Sequence, residues 1–257
     1  MKVQLLFAAM SLAVLVGMVG FQLLGRWFAE RRPHSDGGKS SGPAAIEAAV
    51  FALLGLLVAF SFSGSETRLQ NRRDLIVREV NAVDTAFLRL ELLPEPDRGV
   101  LKQQFRRYVD GRVRYYDKLL DLEAASVERT RIEALQGKIW SRAVDAAGRT
   151  ADVRASLLLL PALNEMFDVT TARDAALRMH IPLAIFIFLA VLSFACGFLA
   201  GMDMARPEQL STLHVFAFAA TMALTAYVIL NLEFPRAGFV RMQMLDSMLA
   251  HLATTMH

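Results

Sequence analysis

Four long apolar stretches constrain this chain more than any other feature of its sequence. They span residues 3–24, 44–63, 181–201 and 210–232, and together they contain a single Asp, Glu, Lys or Arg residue, Glu47. A helix of roughly 20 apolar residues is long enough to cross the hydrocarbon core of a bilayer. The sequence therefore predicts an all-α integral membrane protein with four transmembrane helices.

The first stretch has an alternative interpretation as a cleaved signal peptide, because Lys2 precedes it. The apolar part of a signal peptide is about 7–15 residues long and is followed by a small-x-small cleavage site. This stretch is longer, and no convincing cleavage site follows it. We therefore favour a transmembrane helix at residues 3–24.

Basic residues are distributed unevenly around the four stretches. Four spans place both termini and residues 65–180 on one side, and that side carries all but five of the 28 Lys and Arg residues. The five are Arg26, Arg31, Arg32, Lys39 and Arg206. Because basic residues near transmembrane helices accumulate on the cytoplasmic side, we expect cytoplasmic termini and a cytoplasmic central domain. The expected location is the cell inner membrane, in a multi-pass arrangement.

Residues 65–180 hold most of the charged side chains and predict a helical cytoplasmic insertion between the second and third spans. Apolar residues recur at i, i+3 and i+4 along residues 69–90 and again along 100–120, which is typical of amphipathic helices. The first of these helices is expected to continue directly from the second span. Pro94 and Pro96 are expected to separate it from the next.

A third helix of the insertion is predicted from about Ser126 through Val144, and a continuation to residues 157–160, with a break at Pro161, is left open. The predicted organisation of the whole chain then has four parts. These are residues 1–64 with the first two transmembrane helices, 65–180 with the helical domain, 181–235 with the last two transmembrane helices, and 236–257 with an amphipathic tail.

Sequence motifs of common enzymes are missing. The chain has no Gly-rich phosphate loop, no HExxH, no GxSxG and only one cysteine, Cys196, which lies in an apolar stretch. Its five histidines are too scattered for a metal site. No basic stripe or known module indicates nucleic-acid binding. We therefore expect no enzymatic activity, no cofactor, no metal and no nucleic-acid partner.

The second span ends in alternating aromatic and hydroxyl side chains, FSFSGS at residues 60–65. Rings that exclude water and hydroxyls that solvate ions are typical of an ion pore. The residues predicted to line such a pore are Phe60, Ser61, Phe62 and Ser65, with Glu47 at the pore mouth at the other end of the span. The pore is predicted to be narrowest at the side chains of Phe60 and Phe62.

The same residues have a simpler interpretation. Serines in transmembrane helices bond to their own backbone and let neighbouring helices approach closely. Glu47 then lies among the lipid headgroups. The spacing of the residues alone slightly favours this alternative.

Residues 56–89 resemble a segment of the bestrophin-like family of bacterial membrane proteins. That family pairs an LLAF-F helix end with an Arg-rich helix, an E-NA-GTA segment and a leucine-rich turn before prolines. The matching positions are Leu56, Leu57, Ala59, Phe60, Arg72, Arg73, Glu79, Asn81, Ala82, Thr85, Ala86, Leu92, Leu93 and Pro94. Asp84 stands where the family has Gly, and residues 232–238 (LEFPRAG) resemble the family's ending.

At a greater distance the chain resembles the bestrophins, pentameric anion or cation channels whose second transmembrane helix lines the pore and continues into a helical cytosolic region. One departure is that Leu69 and Gln70 follow Arg68 where bestrophins have two tryptophans. The resemblance implies a homo-oligomeric channel in the lipid bilayer that conducts inorganic ions along the second span.

The alternative function is a non-conducting membrane scaffold or signalling subunit whose cytoplasmic helices bind a partner. The aromatic residues available for such a docking surface are Phe105, Tyr108, Tyr115, Tyr116 and Trp140. Packing of these side chains in the domain's own core is the favoured interpretation.

Overall fold

The computed structural model describes residues 2–31, 41–150, 152–204, 212–235 and 243–256. The described residues contain no strand, which confirms the predicted all-α class. Their eight α-helices are α1 Lys2–Glu30, α2 Ser41–Arg89, α3 Asp97–Asp117, α4 Leu122–Arg149, α5 Leu160–Arg178, α6 Leu183–Met204, α7 Thr212–Glu233 and α8 Gln243–Thr255. A 3-10 turn at Leu90–Leu92 follows α2, and a π-helical turn at Ala155–Leu159 precedes α5.

The helices form two compact units. The membrane unit consists of Met1–Leu69 and His180–Arg241, and the charged unit consists of Gln70–Met179 and Met242–His257. The long helix α2 contributes to both units, because its apolar first part lies in the membrane unit and its charged second part in the other.

Four helices of the described chain are long and apolar enough to cross a membrane. Each of them overlaps one of the four predicted apolar stretches, so the prediction of four transmembrane helices is confirmed. Large apolar side chains such as Leu5, Leu56 and Leu183 point outward from the single chain. An apolar surface of this kind is stable in lipid and unstable in water, and the chain is therefore a membrane protein.

Glycines allow the backbones of α1 and α6 to approach closely. A Cβ atom added at Gly201 would collide with the carbonyl group of Gln22 in α1, and one added at Gly25 would collide with the carbonyl oxygen of Phe198 in α6. A Cβ atom at Gly197 would lie 3.1 Å from the carbonyl oxygen of Met18. Gly197 and Gly201 have the four-residue spacing typical of close contacts between transmembrane helices. That spacing is the sequence signal for this contact, and the hydropathy pattern does not contain it.

The charged unit has its own hydrophobic core. Phe87 from α2, Phe105 and Tyr108 from α3, Ile139 from α4 and Leu163 from α5 are all buried in it. Burial of these side chains removes a large apolar area from water, which is the main stabilising term for such a unit.

The aromatic residues considered for a docking surface belong to this core. Phe105, Tyr108, Tyr115 and Tyr116 are buried, and Trp140 is partly buried and packs against them. The favoured interpretation, packing within the domain, is therefore confirmed for these side chains.

The C-terminal helix α8 also contributes to this core. Its apolar face places Leu249 in the cluster that contains the α3 side chains, and Met256, just after the helix, is buried there as well. Residues 236–242 of the predicted tail lie outside the described residues. The predicted amphipathic segment thus packs on the charged unit.

A buried cluster of charged residues joins three helices of the charged unit. The carboxylate of Glu79 in α2 accepts hydrogen bonds from Arg112 Nε (2.8 Å), Arg173 Nη1 (2.6 Å) and the Tyr116 hydroxyl (2.9 Å). Arg112 also donates to the Tyr116 hydroxyl and pairs with Asp174 at 3.2 Å. We call Glu79, Arg112, Tyr116, Arg173 and Asp174 the Glu79 cluster. Its two arginines and two carboxylates balance in charge.

The hydroxyl group of Tyr116 keeps its proton in this cluster. Burial raises its pKa well above the ordinary value, and the neighbouring Glu79 carboxylate raises it further, against the opposing effect of Arg112 and Arg173. A protonated phenol can donate to a carboxylate. The hydrogen bond from Tyr116 to Glu79 therefore persists across the physiological pH range.

A second ion-pair group fixes the start of α3 to α4. Asp97 in the first turn of α3 accepts hydrogen bonds from Arg149 Nη2 (2.6 Å) and Arg142 Nε (3.2 Å). The hydrogen bond from Arg149 holds the pKa of Asp97 below its usual range, against the opposing effect of burial. A negative charge in the first turn also interacts favourably with the helix dipole.

The structure corrects two predicted boundaries. The third helix of the insertion, α4, starts at Leu122 rather than near Ser126, because Asp121 caps it: its Oδ1 accepts from the Ala124 amide at 3.1 Å. Ser126 lies in the next turn and donates to the Glu123 carbonyl instead. The helix extends past Val144 and ends at Arg149, so it does not continue to residues 157–160.

The predicted break at Pro161 is also wrong. Pro161 lies in the first turn of α5, directly after the π-helical turn. Proline is tolerated there because the π-helical turn directly before it interrupts the regular i→i−4 hydrogen-bond ladder, to which proline has no N–H to donate. Arg89 Nη1 also donates to the Leu158 carbonyl at 2.7 Å, which satisfies an acceptor in the irregular turn.

Candidate functional site

The helix α2 is the element predicted to line a pore. It runs without interruption for 49 residues, from the apolar stretch 44–63 into the charged part of the chain. Gly64 does not break it, so the predicted continuation of the second span into the insertion as one helix is confirmed.

The five predicted pore residues do not share one face of α2. Ser61 and Ser65 are buried within the membrane unit, and Glu47 is half-buried. Phe60 is 65% exposed and Phe62 is 42% exposed on the single chain. The structure therefore separates the hydroxyls from the rings, and the pore-lining role of all five residues stays a prediction.

The two serines make the hydrogen bonds expected of helix-packing residues. Ser61 Oγ donates to the carbonyl oxygen of Leu57 in the preceding turn, at 2.8 Å. Ser65 Oγ donates to Glu233 Oε2 on α7, at 3.1 Å. Ser61 thus follows the simpler interpretation of its sequence, whereas Ser65 belongs to a polar cluster that the sequence did not predict.

That cluster surrounds the buried carboxylate of Glu233, the last residue of α7. Arg68 Nε donates to both carboxylate oxygens, at 3.0 and 3.2 Å, and the Ile181 amide donates to Oε1 at 2.9 Å. His180 Nδ1 lies 3.4 Å from Oε1. We call Ser65, Arg68, His180, Ile181 and Glu233 the Glu233 cluster. A buried carboxylate is stable only with such partners.

The Glu233 cluster joins three parts of the membrane unit at one point. Arg68 and Ser65 lie one turn apart on α2, where its apolar stretch ends, and Glu233 ends α7. His180 and Ile181 form the segment that leads into α6, and the His180 ring stacks on Phe234 with ring centroids 4.6 Å apart. The cluster therefore fixes the end of the span in α2 to the ends of two other spans.

An available sequence signal for this cluster is the placement of single charges at span ends. Glu233 follows the fourth apolar stretch directly, and Arg68 is the first basic residue after the second. Opposite charges at span ends on the same side of a membrane are candidates for pairing, because each is costly to bury alone.

Replacing Glu233 with glutamine is expected to destabilise the membrane unit by about 2–4 kcal/mol, because the half-buried Arg68 loses its fully buried counter-charge. The measurement is thermal unfolding of the purified full-length protein in detergent. The single variants Glu233→Gln and Arg68→Met and the double variant together give the coupling energy, expected at about 1–3 kcal/mol. Strictly additive losses would contradict a direct interaction between the two side chains.

The fold and the cluster together define a polytopic α-helical membrane protein whose second span extends into a helical unit. A family model for the bestrophin-like domain matches residues 7–244. The chain belongs to the bestrophin-like family, which confirms the resemblance found in residues 56–89.

Two solved structures have a similar fold. A crystal structure of a variant of a bacterial bestrophin homologue from Klebsiella pneumoniae has a TM-score of 0.65 and 16% sequence identity, covering 96% of each chain. A crystal structure of a variant membrane protein has a TM-score of 0.59 and 16% identity, covering 99% of this chain and 96% of the other. At this identity the similarity shows a shared fold. A search of curated proteins gave no match.

Proposed function

We propose that this protein is a homo-oligomeric ion channel, for anions or cations, whose pore is lined by the membrane part of α2. Membership of the bestrophin-like family and the fold shared with a bacterial bestrophin homologue support this function. The charged unit lies on the cytoplasmic side of the inner membrane in this proposal, since most basic residues near the spans are on that side.

The observation that carries the proposal is an exposed face of α2. Leu56, Phe60, Ser63 and Thr67 are all exposed on the single chain. Their spacing of four, three and four residues places them on one side of the helix. An aromatic ring near the end of the span, followed by one hydroxyl group at the end and one just beyond it, supports a constriction with an ion-solvating segment beside it.

A single copy cannot enclose a pore with one exposed helix face. Several copies arranged around an axis would bring the exposed faces of their α2 helices together, and closed rings are the usual arrangement of identical subunits. Of the two predicted constriction rings, Phe60 lies on this face and Phe62 lies on another side of the helix. Phe60 is therefore our first choice for the constriction.

Ion flux from proteoliposomes tests the proposal. We expect flux above that of empty vesicles and a severalfold increase in the Phe60→Ala variant, because removing the ring widens and wets the constriction. Phe188→Ala is the matched control: Phe188 is 51% exposed on α6, so its loss is expected to leave the flux unchanged.

The oligomeric state in detergent is measured on the same preparations. A monomeric protein without flux would overturn the proposal. Equal flux for the Phe60 and Phe188 variants would remove Phe60 from the pore. A stoichiometric partner that co-purifies from native membranes, together with silent Phe60 and Phe62 variants, would favour the alternative function as a scaffold or signalling subunit.

A further inference from the structure

A cavity of about 160 Å³ lies inside the membrane unit, among α1, α2, α6 and α7. Its lining is mostly apolar and contains no acidic or basic side chain. The apolar lining includes Met10, Val58, Phe186, Ala190 and Met222, with at least one residue from each of the four helices. An apolar cavity of similar size, about 150 Å³, is known to stay free of water and to bind small organic molecules.

Two hydroxyl groups also line this cavity, and they differ in their hydrogen bonds. Thr225 Oγ1 donates to the Thr221 carbonyl at 2.8 Å. Ser193 is only 7% exposed, and its hydroxyl makes no hydrogen bond within the described part of the chain. A hydroxyl that faces an apolar cavity without a partner is unfavourable, because polar groups shielded from water usually have one. Ser193 therefore indicates a ligand with one polar atom.

The chemistry of the lining selects the class of ligand. A charged molecule would have no counter-charge in the cavity and is excluded by the cost of burying it. A hydrocarbon would leave the Ser193 hydroxyl without a partner. Water needs two to four polar partners, and beside the Ser193 hydroxyl the described lining offers only the acceptor lone pairs of Thr225 Oγ1, so a water molecule there would leave most of the apolar volume empty. A hydroxyl group on a short aliphatic chain satisfies Ser193 as donor or acceptor and fills the rest of the volume.

We propose that this cavity binds a small neutral alcohol, a short aliphatic chain with a single hydroxyl group, which enters from the bilayer. The chain packs against Met10, Val58 and Met222, and the hydroxyl pairs with Ser193. The proposal does not depend on ion conduction, since it concerns binding to the four-helix membrane unit.

Photolabelling of the full-length protein in detergent tests this proposal, with a diazirine derivative of hexanol as the probe. We expect labelled residues to fall among the cavity-lining parts of α1, α6 and α7, and excess hexanol to compete. Ala190→Leu fills the cavity and is expected to abolish this labelling. Ala195→Leu is the matched control, because Ala195 is exposed on the same helix and does not line the cavity.

The hydroxyl contact has a separate test. Ser193→Ala removes one oxygen atom and is expected to weaken competition by hexanol about fivefold, the usual value of one hydrogen bond, and to leave competition by hexane unchanged. Melting curves matching the wild type for both cavity variants exclude misfolding. Labelling that persists in Ala190→Leu, or equal competition by hexanol in Ser193→Ala and the wild type, would overturn the proposal.

Discussion

Replacing Glu79 with alanine is expected to lower the free energy of unfolding of the charged unit by about 3–5 kcal/mol. The substitution leaves Arg112 and Arg173 buried, at 1% and 3% side-chain exposure, without the carboxylate that binds both. Two guanidinium groups that lie close to one side chain then repel each other. The remaining carboxylate, Asp174, pairs with Arg112 at 3.2 Å and is partly exposed.

Thermal unfolding of the full-length protein in detergent, followed by circular dichroism, measures this loss. The expected fall of the midpoint is roughly 10 °C, from the usual relation between stability and melting temperature. Glu165→Ala is the matched control: its ion pair with Arg78 is exposed on both sides, at 57% and 62%, so little change is expected. Equal losses in the two variants would show that the Glu79 cluster does not stabilise the unit.

The Glu79 cluster also illustrates what the sequence could not predict. Glu79 lies 94 residues from Arg173 and 33 from Arg112, and no periodicity connects the three. Of the three, only Glu79 stood out in the sequence, as a position that matches the bestrophin-like segment. Only the packing of α2, α3 and α5 in the charged unit brings these residues together. The same holds for Ser65 and Glu233, which are 168 residues apart.

The spans, in contrast, were predictable because the bilayer imposes a local requirement on each of them. A membrane helix must be continuously apolar over its length, so hydropathy alone locates it. Helix ends in the charged unit depend on single capping contacts. There the prediction placed the start of α4 at Ser126, although Asp121 accepts from Ala124 and begins the helix.

The candidate pore lies between these two cases. Hydropathy located α2 but cannot distinguish a face that contacts lipid from one that contacts another subunit or lines a pore. The alternation of Phe60, Ser61 and Phe62 suggested one surface, whereas a helix turns them to different sides. Burial in the structure supplies the missing information, because Ser61 is internal and Phe60 is exposed.

Gly201→Ala is expected to destabilise the membrane unit by about 1–3 kcal/mol or more, the usual cost of overpacking. The new methyl group would overlap the carbonyl group of Gln22, and a backbone atom cannot turn aside as a side chain can. The backbones of α1 and α6 must therefore separate. Separation also weakens their contact at Gly25, where an added Cβ atom would likewise collide with the carbonyl oxygen of Phe198.

The sign of this effect is its most informative property, because alanine is the better helix former by about 1 kcal/mol. Gly20→Ala on α1 is the matched control: an added Cβ atom there meets no atom within 4 Å, so the variant is expected to be neutral or slightly stabilising. Thermal unfolding in detergent compares the two. If helix propensity dominated, both variants would melt at or above the wild-type temperature. A fall in Gly201→Ala alone would show that close backbone contact, rather than the apolar surface common to all four spans, determines which spans pair.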